Sequence, residues 1–195
     1  MSDYDVVVIG GGAAGLSGAL VLSRARRRVL VVDAGEPRNS PAAHMHGFLS
    51  RDGLPPGDLL AAGRVEVTGY GGHIVDGAVT ELVRCSPSGF GVLLSDGRRF
   101  SARRLLVATG LRDELPDIAG LRDRWARDVL HCPCCHPHRA DERSRGLVAG
   151  NLANPRAQVV TAAGEGSAAA LAINGDLVDD DVHNAVRHFA TGVVS

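Results

Sequence analysis

The stretch DVVVIGGGAAGLSGALVLSRARRRVLVVD, residues 5–33, sets the architecture of the chain. DVVVI at 5–9 is an apolar run of the kind that fills a parallel strand covered on both faces. A glycine turn follows, and residues 13–25 carry Ala, Leu and Val at helical spacing. VLVVD at 29–33 is a second buried strand. Strand, helix and strand within about thirty residues make the minimal nucleotide-binding unit.

Outward from this unit, residues 34–57 are polar, with Pro37, Pro41, Pro55 and Pro56. A loop this long inside a compact domain tends to be functional. Pro55 and Pro56 open a helix running to about residue 68. Segments 73–84 and 89–104 turn to strand patterns, with Asp96-Gly97 as a hairpin turn. LLVA at 105–108 is another buried strand, ending in Thr109-Gly110. Residues 111–145 are rich in Pro and Arg and hold a cysteine cluster; LVAG at 147–150 resumes strand character. Residues 158–175 and 179–190 read as two helices, the first with Gly164 and Gly166 inside it, implying close packing on something flat. The predicted fold is α/β: a Rossmann-type parallel sheet flanked by helices, with a small antiparallel β element from about 73 to 104 packed beside it.

Composition narrows the function. The chain has 195 residues, 45% hydrophobic and 22% charged, the balance of a globular protein. Formal net charge is −1, so no electrostatic case arises for nucleic acid or an anionic membrane. All 21 basic residues are Arg, which excludes lysine chemistry such as a Schiff base or a P-loop lysine. No run reaches the roughly 18 apolar residues of a membrane span. The N-terminus enters a strand pattern at once, without a basic n-region, so the expected location is the cytoplasm. Three of the four cysteines crowd into Cys132, Cys134 and Cys135. In a reducing compartment such a cluster points to catalysis or metal binding before a structural disulfide. Cys85, in a strand pattern, reads as a small buried apolar residue.

The fingerprint is Gly10, Gly12 and Gly15, directly after a strand and opening a helix. Gly10 permits the tight turn, Gly12 lets backbone approach a pyrophosphate, and Gly15 lets the helix pack on the strand. Asp33, at the end of the next strand, can accept a hydrogen bond from a ribose 2′-hydroxyl. Together these residues predict a dinucleotide site.

Several further stretches carry a resemblance: VVVIGGGAAGLSGAL, VVDAGEPRN, HMHGFLSRDG, LLVATGLRDELPDIAGL, HCPCCH and VAGNLANPRAQVVTAAGEGSAAA. The chain resembles the FAD domain of bacterial thioredoxin reductase-like flavoproteins, FAD-dependent pyridine nucleotide-disulfide oxidoreductases. The resemblance implies FAD as cofactor, held by Gly10, Gly12, Ala13, Ala14 and Gly15, by Asp33 and Ala34, and by Arg38, Asn39 and His46 of the following loop. Val79 joins this set, as does the Ala108-Thr109-Gly110 turn. Gly150 and Asn151 stand where the family has a Gly-Asp element at the ribityl–pyrophosphate region. Asn151 departs from the usual Asp, although an amide still hydrogen-bonds a hydroxyl. Gln158, with Val159, stands at a helix start beside the flavin ring, where a helix N-terminus favours the charge of reduced flavin.

The motif His131-Cys132-Pro133-Cys134-Cys135-His136 gives Cys132 and Cys135 C-x-x-C spacing. A helix start and a nearby imidazolium lower a thiol pKa, and thiolate is the nucleophile. By the resemblance, Cys135 faces the flavin, Cys132 exchanges with substrate, and His136 moves protons. Cys134 departs from the family pattern and offers another disulfide partner. The cluster's soft donors also admit a zinc-stabilised interaction module, although one crowded cluster lacks the two spaced ligand pairs of structural zinc.

In the resembled family the redox pair lies in an inserted NADPH-binding domain with its own glycine fingerprint. Here only 35 residues, 111–145, separate Gly110 from Gly146, too few for such a domain. The expected division is an FAD-binding domain from 1–118 and 146–195, with 119–145 as a short insert bearing the cysteines. The expected activity is FAD-dependent thiol–disulfide oxidoreduction on a dithiol or disulfide, either a small molecule or a thioredoxin-like protein. Electrons would come from an external donor or leave to oxygen. A catalytically impaired FAD-binding remnant is the alternative. The resemblance also suggests a homodimer using the C-terminal helices.

Overall fold

The computed structural model describes residues 3–85, 89–112 and 146–192. Its strands are β1 (Tyr4–Ile9), β2 (Val29–Asp33), β3 (His73–Asp76), β4 (Val79–Cys85), β5 (Gly89–Leu94), β6 (Arg99–Val107) and β7 (Gly146–Val148). Its helices are α1 (Ala13–Arg24), α2 (Pro56–Gly69) and α3 (Val159–Gly192), with a 3-10 turn at Gly150–Leu152. The strands form one sheet in the order β3-β2-β1-β6-β5-β4, with β7 also paired to β6. β1, β2, β3, β6 and β7 run parallel; β4 and β5 are antiparallel to their neighbours.

The sheet is buried on both faces, which explains the unbroken apolar runs. Val6, Val7 and Val8 of β1 are fully buried. One face sets Val6, Val8 and Leu106 against Leu16, Ala19 and Leu22 of α1 and Ala170, Ile173 and Leu177 of α3. The other sets Val7, Ile9, Leu30 and Val32 against Val92 and Leu94 of β5. The long strand β6 serves both halves of the chain. Arg99–Ala102 pair with β5, whereas Leu105–Val107 pair with Gly146–Val148. The C-terminal part therefore re-enters the sheet beside the strand at which the N-terminal part leaves it.

The antiparallel element forms as expected, joined to the parallel strands through β6, with its Val92 and Leu94 packed on Val7, Ile9, Leu30 and Val32. Several other expectations are corrected. The 73–84 segment breaks at Gly77 (φ +156°), and its first part, β3, belongs to the parallel edge. The two C-terminal helices are one helix, α3. Gly175 alone is a modest helix breaker, and its neighbours pin the helix across it: Arg27 of the α1–β2 turn holds Asn174, and Arg104 of β6 holds Asp176 and Asp180. Gly166 packs closely as expected, but on α1, with an added Cβ only 1.9 Å from the Ala14 carbonyl oxygen; Gly164 faces open space. Cys85 is exposed, because β4 is an edge strand whose residues from Thr80 onward all lie at the surface. The hairpin at Asp96-Gly97 forms as expected, with Gly97 at φ +86° and the Leu94 N–H donating to the Arg98 carbonyl at 2.9 Å. No described helix is long and apolar enough to cross a membrane.

Candidate functional site

A cleft of about 980 Å³ opens at the carboxyl ends of β1, β2 and β6. Strand order reverses between β1 and β6, and open α/β sheets bind ligands at such a switch point. The size lies near the top of the roughly 300–1,000 Å³ range of small-molecule sites.

The turn after β1 forms its floor. Gly10 (φ +108°) donates its N–H to the Val32 carbonyl at 2.8 Å, and a Cβ there would lie 2.4 Å from the Ala108 carbonyl oxygen. A Cβ on Gly11 would strike the Asp33 carboxylate at 2.5 Å. A Cβ on Gly15 would lie 1.9 Å from the Gly10 carbonyl oxygen. Gly12 differs: an added Cβ meets nothing within 4 Å. It lines the cleft and caps α1 without any side-chain cap bond, and no acidic residue stands in the first turn. The first N–H groups of α1 are thus left for a ligand.

Asp33 ends β2. Its Oδ1 accepts from the Gly11 N–H at 3.2 Å and the Gly35 N–H at 3.3 Å. Its Oδ2 accepts from Arg64 of α2, whose other guanidinium nitrogen lies 3.6 Å from Asp76. Beyond Asp33, Ala34, Arg38, Asn39 and His46 line the cleft, as do Val79 and the Ala108-Thr109-Gly110 turn. In the same loop, Asp52 accepts from the Gly47 N–H at 2.8 Å and lies 3.4 Å from His46 Nδ1. The Gly47 N–H, then His46, hold the Asp52 carboxyl below the usual range.

The start of α3 closes the cleft. Gln158 accepts the Ala162 N–H on its carbonyl at 2.8 Å, the N-cap position, and its side chain lies against Gly47. Gln158 and Val159 both line the cleft, as do Ala13 and Ala14. Asn151 lines it too, but its amide nitrogen is used locally, donating to the Ala157 carbonyl at 2.9 Å.

The structure thus brings together the sequence-predicted residues of the glycine turn, the β2 loop, the β6 turn and the α3 start. Gly15 and Gly150 lie behind the wall. Gly150 (φ +74°) packs on Ala14, where a Cβ would come within 2.7 Å. Cys132, Cys134, Cys135 and His136 lie outside the described residues. Among the described residues no three His, Cys, Asp or Glu side chains form a metal site.

Sequence reasoning missed several residues. Gly11 had a signal, the unbroken run of three glycines. Arg64 had none, because only the docking of α2 brings it to Asp33. Glu165 had none either: from α3 it accepts the Gly150 N–H at 3.1 Å and the Asn154 amide at 2.9 Å, fixing the segment that carries Asn151. Arg112, paired with Glu36 at 2.8 Å, joins the rims after β6 and β2. Among the described residues, Arg38, Arg64, Arg112 and Arg156 line the cleft together with Asp33 and Glu36.

The family model for pyridine nucleotide-disulphide oxidoreductases matches residues 4–151. The chain belongs to this family. A thioredoxin reductase of Aspergillus oryzae, aclD, is 36% identical over 160 residues, 78% of this chain and 50% of that protein. The chain spans half or less of the length of the first curated relatives it matches. Among solved structures, HlmI superposes with a TM-score of 0.91 at 35% identity, the comparison covering 97% of both chains. An oxidoreductase from Agrobacterium tumefaciens superposes with a TM-score of 0.80 at 28% identity, over 91% of this chain and 99% of that one.

The family is FAD-dependent, and the cleft fits that cofactor. The empty Cβ position of Gly12 and the uncapped start of α1 suit its pyrophosphate. Asp33 suits its ribose. The α3 N-terminus, with no acid in its first turn, suits the charge of reduced flavin.

Proposed function

We propose that the chain is an FAD-dependent thiol–disulfide oxidoreductase, with electrons passing between the flavin and the Cys132/Cys135 pair. The observation that carries this reading is where the cysteine-bearing segment is tethered. It leaves the cleft at Gly110–Arg112, which line it, and re-enters the sheet at Gly146, paired with Leu105 of the same strand. A segment that starts at the cleft wall and is tied back to β6 within 35 residues supports a reading in which its thiols reach the cleft.

Bound FAD supplies two-electron exchange with the cysteine pair and with an external partner, either dioxygen or a separate electron donor. Cys132 is the thiol that exchanges with substrate sulfur, and Cys135 is the thiol on the flavin side. When a substrate dithiol closes to a disulfide it gives up two electrons and two protons, and the Cys132–Cys135 disulfide opens to take them. In the reverse sense the pair closes and a substrate disulfide opens. His136 moves the protons of the exchange. The substrate class is a dithiol or disulfide, small or carried on a thioredoxin-like protein, in a cytoplasmic setting. Two copies associating through α3 belong to the same reading, since Val178, Val182, Val186 and Phe189 are exposed along it.

One observation favours a second reading, a catalytically impaired FAD-binding remnant. The segment between Gly110 and Gly146 is too short for a nucleotide domain, and the sequence holds no second glycine fingerprint. An anaerobic visible spectrum before and after adding dithiothreitol decides between them. Flavin bands that bleach or gain a long-wavelength shoulder support the oxidoreductase; flavin bands that stay unchanged support the remnant. Stoichiometric zinc with no flavin would point instead to the interaction module.

A further inference from the structure

We propose that Arg64 is a positioning residue for the adenosine half of the cofactor, acting through Asp33. The inference rests on the FAD reading of the cleft. An ionised carboxylate has about four acceptor positions. The Gly11 and Gly35 N–H groups take two on Oδ1 of Asp33, and Arg64 takes one on Oδ2. Among the described residues, one position remains on a carboxylate whose plane is held from both sides. The Asp33 side chain is 16% exposed and lines the cleft, so this position is available to a ribose hydroxyl.

Arg64 does this from outside the nucleotide unit. It projects from α2, and its second contact, to Asp76 at the end of β3, holds the guanidinium across the ends of two neighbouring parallel strands. The bridge has two consequences. It prevents the carboxylate from rotating away from the ribose. It also offsets the negative charge that Asp33 would otherwise place near a diphosphate seated on α1. A guanidinium suits this task better than an ammonium, because its fork reaches both carboxylates at once.

The test compares equilibrium binding of FAD and of an FAD analogue lacking the adenosine 2′-hydroxyl, followed by flavin fluorescence on the apoprotein. The variants are Arg64→Gln, Arg64→Lys, Asp33→Asn and the double variant Asp33→Asn/Arg64→Gln. Wild type should prefer FAD to the analogue, and Arg64→Gln should weaken FAD about tenfold while weakening the analogue much less. Arg64→Lys should recover part of the preference. In the Asp33→Asn background, Arg64→Gln should add little, as coupled residues do. Equal weakening of both ligands would overturn the proposal and leave Arg64 a structural or direct phosphate contact. A full additional loss in the double variant would overturn it as well. If wild type bound neither ligand, the cofactor reading of the cleft would fall, and the proposal with it.

Discussion

Gly166 of α3 lies directly on Ala14 of α1: a Cβ at 166 would come within 1.9 Å of the Ala14 carbonyl oxygen and 2.9 Å of its Cα. Ala14 lines the cleft as the second residue of α1. The contact between the two halves of the chain is therefore also the back wall of the cofactor site.

This contact predicts opposite outcomes at two glycines of one helix. Gly166→Ala should destabilise by about 1–3 kcal/mol, because backbone must move to admit the methyl group. Gly164→Ala meets nothing within 4 Å and should stabilise by roughly 0.5–1 kcal/mol through helix propensity alone. Denaturant unfolding of the two variants checks the pair.

Gly12 and Gly15 should separate binding from folding. Gly12→Val places its side chain in open cleft, at φ −79°, which any residue adopts. Stability should fall by no more than about 1 kcal/mol, the cost of a poorer N-cap residue, while FAD affinity falls by tenfold or more, read by flavin fluorescence. Gly15→Ala should instead lower the melting temperature of the apoprotein, since the methyl group would collide with the Gly10 carbonyl.

Arg104 is 1% exposed, and its guanidinium donates to Asp176 and Asp180 of α3. Arg104→Ala should cost roughly 2–3 kcal/mol. That is less than the ~3–5 kcal/mol of a fully buried pair, because both carboxylates keep access to water. Helicity lost early in thermal unfolding, ahead of the sheet, would mark α3 as the element released.

Acid should loosen the same face. Burial alone would raise the Asp5 pKa, but the Arg28 N–H and guanidinium, with Arg103, outweigh it and hold Asp5 below its ordinary 3.8. The Arg27 hydrogen bond, joined by Arg103, likewise holds Asp181 low. A carboxyl with a depressed folded-state pKa stabilises above its unfolded pKa and loses that contribution as pH falls through the folded value. Stability should therefore decline below about pH 4, and Asp5→Asn should flatten that decline in a pH series of unfolding curves.

Cys135→Ser should retain FAD with an unchanged visible spectrum but no longer bleach with dithiothreitol under anaerobic conditions. Cys132→Ser should keep the flavin-side thiol and lose exchange with substrate. A Cys135→Ser protein bleaching at the wild-type rate would place the flavin-side thiol elsewhere, with Cys134 the first candidate.

Most of the nucleotide unit was legible because its constraints are local. An apolar run with no polar alternation has to be covered on both faces. Gly10 follows β1 and takes its positive φ in the turn into α1, and Asp33 ends β2. The same locality made Asp96-Gly97 readable as a turn. The errors came where neighbours distant in the chain intervene. Residues 158–175 and 179–190 read as two helices until Asn174, Asp176 and Asp180 are seen held by Arg27 and Arg104. Cys85 reads as buried until β4 proves to be the edge.

Arg64 shows the boundary between the two kinds of information. Thirty-one residues separate it from Asp33, and no spacing rule links an arginine midway along α2 to the acid ending β2. Their meeting depends on the packing of α2 against α1, where Gly63 lies close to Leu16. Backbone conformation and strand burial are written residue by residue, so the chain alone carries them. Pairings between side chains on different elements exist only after those elements dock, because their energy is set by distance across the fold and not along the sequence.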